Sequence, residues 1–120
     1  METSTIVGWV LGVVGVLPLL ASCTMLVTSY PVVMKNLTRF GFNVDIVRRP
    51  FAVIELTIAV LALIPSTSIF GAILATGWMG GAIATHLRVG DKFVIQAAIP
   101  ILIWVGFGLR HRAWIEPLFG

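Results

Sequence analysis

Long apolar stretches alternate with short polar ones along this chain. The run at about 5–28 contains no charged residue and exceeds the ~20 residues that a helix needs to cross the hydrocarbon of a bilayer. A second run covers about 50–65. Pro50 suits its first helical turn, where a missing N–H would have had no partner anyway, and Glu55 is its acidic residue. A third covers about 69–86 and a fourth about 93–109, uncharged apart from His86 at the edge of the third. The joins at 65–68 and 87–92 are short, which predicts antiparallel neighbours.

Residues 29–49 follow another pattern. Val33, Leu37 and Phe40 fall on one side of a helix, while Lys35, Asn36, Arg39 and Asn43 collect on the other. That spacing predicts a short amphipathic helix over about 31–42 lying in the membrane interface, with Gly41, Asn43 and Asp45 turning the chain into the second span. The fold class expected is all-α: an integral membrane four-helix bundle with an interfacial helix between spans 1 and 2, in one transmembrane domain over 1–120.

Composition agrees with that reading. Of 120 residues, 58% are hydrophobic and 11% charged, and the mean hydropathy is +1.04; helices facing lipid can be apolar all round, whereas a soluble domain needs a polar exterior. The net charge of +3 does not point to nucleic acid, because the eight basic residues form no stripe. Six of them sit on the first and third connections and two, Arg110 and Arg112, on the opposite side, so those connections are expected in the cytoplasm with both chain termini outside. Gly8, Gly12 and Gly15 in the first span, and Gly77 and Gly81 in the third, have the spacing at which membrane helices approach closely.

Chemistry has few carriers here. A single cysteine, Cys23, excludes an internal disulfide, and His86 and His111 are too far apart in sequence to suggest a metal site. Leu20-Ala21-Ser22-Cys23 matches the bacterial lipoprotein cleavage pattern, but Glu2 without Lys or Arg precedes it and the apolar run continues through Val27, which argues against cleavage. Glu55 stands out, since an acid inside a span costs at least ~2.5 kcal/mol unless compensated. Counted from Pro50 it lies ~7 Å inside the face of the odd connections, and His86 ends the third span near that face. Lys35 and Arg39 belong to the same end. Glu55 either pins helices, by pairing with Lys35, Arg39 or His86 or as an acid kept protonated by desolvation, or handles protons or a ligand. Trp78, in mid-span, either packs or lines a pocket.

Taken together, Tyr30-Pro31 with Lys35, Phe40-Gly41-Phe42, Val53-Ile54-Glu55-Leu56 with Pro65, Gly71-Ala72-Ile73-Leu74, Met79, Ala82 through Leu87 and Leu109 through Arg112 resemble the DoxX-like family of small bacterial membrane proteins. The best signature is the Glu of the second span followed by Ala-x-x-Thr-His closing the third. Pro50 and Ala52 stand where many relatives have Gly. The resemblance implies a four-helix membrane bundle in a bacterial cytoplasmic membrane, with Lys35, Glu55, Thr85 and His86 at the family's polar positions. Some members of the wider family are linked to quinone reduction or to thiol and oxidative-stress complexes.

Three functions are therefore carried forward. The first is a redox-associated subunit binding a quinone or similar lipid-soluble ligand among Glu55, His86, Lys35, Thr85, Arg39 and Trp78. The second is a non-catalytic accessory subunit of a larger membrane complex or homo-oligomer, and the third a small proton-coupled exporter. No metal is expected.

Overall fold

Helices account for nearly all of the computed structural model, which describes residues 2–119: α1 (Thr3–Val27), α2 (Pro31–Arg39), α3 (Val44–Leu63), α4 (Ser68–Arg88), α5 (Val94–Arg110) and a one-turn α6 (Arg112–Ile115) running into a 3₁₀ turn (Glu116–Leu118). The four long helices pack in a ring, α1 against α3 and α5, with α4 closing the circle against the same two; α2 rests on α1 and α3 at one end.

Helix ends follow one local rule. Beyond α2, the Phe42 N–H reaches back to Leu37 O and that of Gly41 to Thr38 O. Beyond α4, Asp91 and Gly90 make the corresponding bonds to His86 O and Leu87 O. The residue between helix and exit must adopt a positive φ, +92° at Gly41 and +76° at Gly90, and glycine does so without steric cost. α1 stops by the same pattern, Tyr30 to Met25 O and Ser29 to Leu26 O, but its left-handed residue is Ser29 at φ 56°. Arg48 adds a guanidinium at that end, donating to Leu26 O and Val27 O at 2.9 Å each, where a cation also complements the helix dipole.

Packing rests on small residues. A Cβ built on Gly106 would lie 2.7 Å from Gly8 O and 2.8 Å from Gly12 N, so α1 and α5 touch backbone to backbone. Gly71 similarly meets Ala62 across α3 and α4, where a Cβ would lie against Ala62 N and 2.6 Å from Ala62 Cα. Without water to drive apolar contact, such close dispersion packing is what holds membrane helices together. Val16, Leu19, Ile58, Ala59, Ala72, Ala75 and Ile103 fill the centre. Gly77 and Gly81 do not join it: with Gly80 they have open space around the Cβ position. Their spacing alone could not say which way the face of α4 turned.

The outward faces are apolar on every long helix, for example Val10, Leu17, Val53, Phe70 and Ile101, all at least half exposed. Unpartnered apolar surface on this scale belongs against lipid. By length and composition α1 and α4 can each cross a membrane, and α5 with the C-terminal segment, bent by 104°, makes a third candidate. α3 falls short because Asp45, Arg48, Arg49 and Glu55 share it, and α5 alone has 17 residues.

The second helix-forming run departs from the sequence expectation. α3 starts at Val44, six residues before Pro50, because the Asn43 side chain accepts from the Asp45 N–H and caps it there. Pro50 is accommodated inside the helix, and the carbonyl deprived of its partner belongs to Ile46, a residue 68% exposed.

Candidate functional site

A cavity of about 420 Å³ lies at the α2 end of the ring. Each long helix contributes to it: Ser22 from α1, Glu55 from α3, Trp78 and His86 from α4, Gln96 from α5, with Phe40 at the end of α2 adding to the roof. The walls are mostly apolar or aromatic, so a few polar groups dominate what the space can recognise.

Glu55 is buried at 7% exposure. Its Oε1 accepts from the Trp78 indole N–H at 3.4 Å, whereas Oε2 is fully covered and has no hydrogen-bond partner among the described residues. Ser22 faces the same carboxyl from α1. The indole is oriented by Phe51, whose ring meets it edge to face at 5.0 Å, and Phe51 in turn meets Phe42 at 5.2 Å. Buried polar atoms are normally satisfied, and the Ser22 hydroxyl is the polar group placed to complete the set.

Four of the six residues singled out from the sequence, Glu55, Trp78, Thr85 and His86, line this one cavity. They do so at different depths. Because α3 begins at Val44, Glu55 lies about three turns into its helix and level with Trp78, while His86 is about 12 Å further along α4 toward the α2 end. The shared depth inferred by counting from Pro50 is therefore corrected, and Glu55 makes no hydrogen bond to His86 among the described residues. The His86 Nδ1–H donates instead to Ala82 O at 2.7 Å, a carbonyl that can only accept, and its ring packs on Phe40 with centroids 4.8 Å apart. Thr85 Oγ1 donates to Gly81 O at 2.8 Å.

Lys35 and Arg39 stand outside the cavity. Lys35 is exposed; Arg39 forms an ion pair with Asp91 of the α4–α5 connection, one of its nitrogens lying 3.2 Å from Oδ1. The hydrogen bond from Arg39 holds the Asp91 carboxyl below its ordinary value and Asp91 raises that of Arg39. Arg88 donates to the Phe40 carbonyl, so α2 is tied to the α4 end at two points. Pairing of Glu55 with Lys35, Arg39 or His86 is replaced by the Trp78 contact: α2 turns its cations outward and its apolar side, with Val33 and Leu37, to the cavity.

Ser22 was legible only as part of the lipoprotein pattern, although a polar residue one turn beyond Pro18 in a charge-free span, on the same helix face, was the available signal. Cys23, next to it, points elsewhere and donates to Ala52 O at 3.4 Å, packing α1 on α3. Among the described residues no three His, Cys, Asp or Glu side chains converge as a metal site would require.

The sequence model of the DoxX-like family matches residues 9–107, a stretch that contains the whole cavity. No curated protein and no solved structure matches the chain.

Proposed function

The chain belongs to the DoxX-like family, and on that footing we propose that it is a four-span protein of a bacterial cytoplasmic membrane that holds a quinone or similar lipid-soluble ligand against Glu55. In this arrangement α1, α3, α4 and α5 all cross the bilayer, the α2 end faces the cytoplasm and both chain ends lie outside. The observation that carries the reading is a mostly apolar cavity of about 420 Å³ lined by the buried Glu55 among residues of all four long helices, a size and a lining typical of sites for small organic ligands. Asp45, Arg48 and Arg49 sit near the start of α3, where headgroups can solvate them, so they do not bar it from crossing.

The chain supplies binding and orientation. Trp78 fixes one carboxyl oxygen, Phe51 and Phe42 fix Trp78, and the ligand packs in the apolar cavity beside them. Electrons, where a redox step follows, come from a partner protein or a soluble dithiol. Extraction into native lipid nanodiscs followed by mass spectrometry of small molecules tests the reading. A stoichiometric isoprenoid or other lipid-soluble compound that is lost in Glu55→Leu supports it, and recovery of bulk phospholipid alone overturns it.

One observation favours a second reading. The open Gly77, Gly80 and Gly81 face of α4 has nothing within 4 Å of any Cβ position, a surface on which another membrane helix could pack closely. An accessory role in a larger complex or homo-oligomer would use that face, which reaches the cavity at Gly81.

A further inference from the structure

α5 and the segment that follows it, Arg112–Leu118, meet at 104°, and the corner between them is packed. The His111 ring stacks on Phe107 with centroids 4.6 Å apart, and its Nε2 lies 3.3 Å from the Oγ of Ser68 at the start of α4. Ile115 takes the space left by the missing side chain of Gly108, since a Cβ there would lie 2.9 Å from Ile115 Cδ1. The direction of the segment is thus fixed relative to the bundle.

Its surface is divided. Arg112 and Glu116 form an exposed ion pair at 3.2 Å and border, with Ser4 of α1, a hollow at this end of the bundle. Positions two apart on a helix lie about 200° from one another, so Trp114 and Leu118 stand on the opposite edge, away from that hollow. They are 63% and 77% exposed. Trp114 meets Phe107 at 6.3 Å and Phe107 meets Trp104, on the outer face of α5, at 5.9 Å, so the edge continues the apolar outer surface of that helix.

With α5 crossing the bilayer at the average tilt of about 20°, a turn near a right angle lays the segment close to the plane of the membrane. Its four α-helical and three 3₁₀ residues extend only about 12 Å, too short to traverse the ~30 Å hydrocarbon layer. A tryptophan and a leucine on one edge, with an ion pair on the other, suit the boundary between acyl chains and headgroups. We propose that Arg112–Leu118 is a membrane-surface anchor, seated on phospholipid of the leaflet opposite α2, with Trp114 and Leu118 in the lipid and the Arg112–Glu116 pair toward headgroups and water. The inference rests on the reading of α5 as a span, and it adds a second interfacial element that sets the depth at which α5 ends.

Cys23 is the single cysteine, so Cys23→Ala gives a background in which one introduced cysteine at a time carries a nitroxide. Ile101→Cys, Glu116→Cys and Leu118→Cys each replace an exposed side chain. For the purified protein in phosphatidylethanolamine–phosphatidylglycerol bilayers, collision rates with oxygen and with a water-soluble nickel chelate report the depth of each label. Ile101 should read near the middle of the bilayer, Leu118 about 5–10 Å into the boundary, and Glu116 shallower than Leu118. A Leu118 label as open to nickel as the Glu116 label overturns the anchor and leaves the span standing. So does finding Leu118 and Glu116 both as deep as Ile101, which would make the segment a re-entrant continuation of α5. A Leu118 label screened from oxygen and nickel alike is covered by protein, and overturns lipid as the occupant. An Ile101 label open to nickel overturns span and anchor together.

Discussion

Trp78 satisfies one oxygen of Glu55 at 3.4 Å and leaves the other bare. Under the proposed function this carboxyl serves a ligand, and the alternative is that it pins helices. If Glu55 were a pin, Glu55→Gln would weaken the bundle. With a single long bond to keep, and with glutamine able to keep it without burying a charge, the substitution should leave thermal stability in detergent unchanged or higher while ligand affinity changes. Trp78→Phe should cost about 1–3 kcal/mol, because it strips the remaining partner from a buried acceptor. Unfolding curves of both variants in one detergent decide the matter.

Close backbone approach makes a contrasting pair of glycines. Gly106→Ala forces a methyl against Gly8 O and Gly12 N, both backbone atoms that cannot swing aside, and should destabilise by about 1–3 kcal/mol. Gly77→Ala meets nothing within 4 Å and should be neutral or stabilising by up to about 1 kcal/mol through helix propensity. A melting temperature that falls as far for Gly77→Ala as for Gly106→Ala would mean that a second helix covers α4 in the membrane.

Much of this was legible in the sequence because apolar runs and turn residues are local signals. The short amphipathic helix α2, the turn at Gly90-Asp91 and the glycine face of α1 all follow from spacing. The start of α3 did not, since Pro50 reads as a first-turn residue unless the Asn43 cap is recognised as the stronger signal. Equally hidden were helix rotations. Glu55 meets Trp78 across two helices, and Gly77 faces outward while Gly71 faces inward; a one-dimensional pattern in which nearly every position is apolar carries no sign of which side is which.

Acidification should loosen the roof of the cavity. Arg39 depresses the Asp91 carboxyl, so the ionised group binds its proton less readily in the folded protein than in the unfolded chain. The stabilisation is thus fully present above the unfolded aspartate value, about 3.9, and disappears as pH falls through the lower folded value. Protection of the α2 amides against hydrogen exchange, taken relative to the intrinsic rate at each pH, should fall across that window. Asp91→Asn should show the lower protection already at neutral pH and lose the acid dependence, while an unchanged profile would remove the ion pair from any part in holding α2.

Ser29 occupies the position that glycine fills at Gly41 and Gly90, in a motif repeated three times within one chain. A side chain in the left-handed region is held there at a steric cost of roughly 1–2 kcal/mol, against which glycine loses up to about 1 kcal/mol by freeing the unfolded chain. Ser29→Gly should therefore stabilise the protein by up to about 1 kcal/mol, and Gly90→Ala should destabilise it by a similar amount. The comparison also isolates Arg48, which occupies the last carbonyls of α1 as well. Arg48→Met should cost about 1 kcal/mol in the unaltered protein and less in the Ser29→Gly background, where the turn is relaxed, measured as a double-mutant cycle on thermal unfolding. Additive costs would show that backbone motif and guanidinium act on α1 independently.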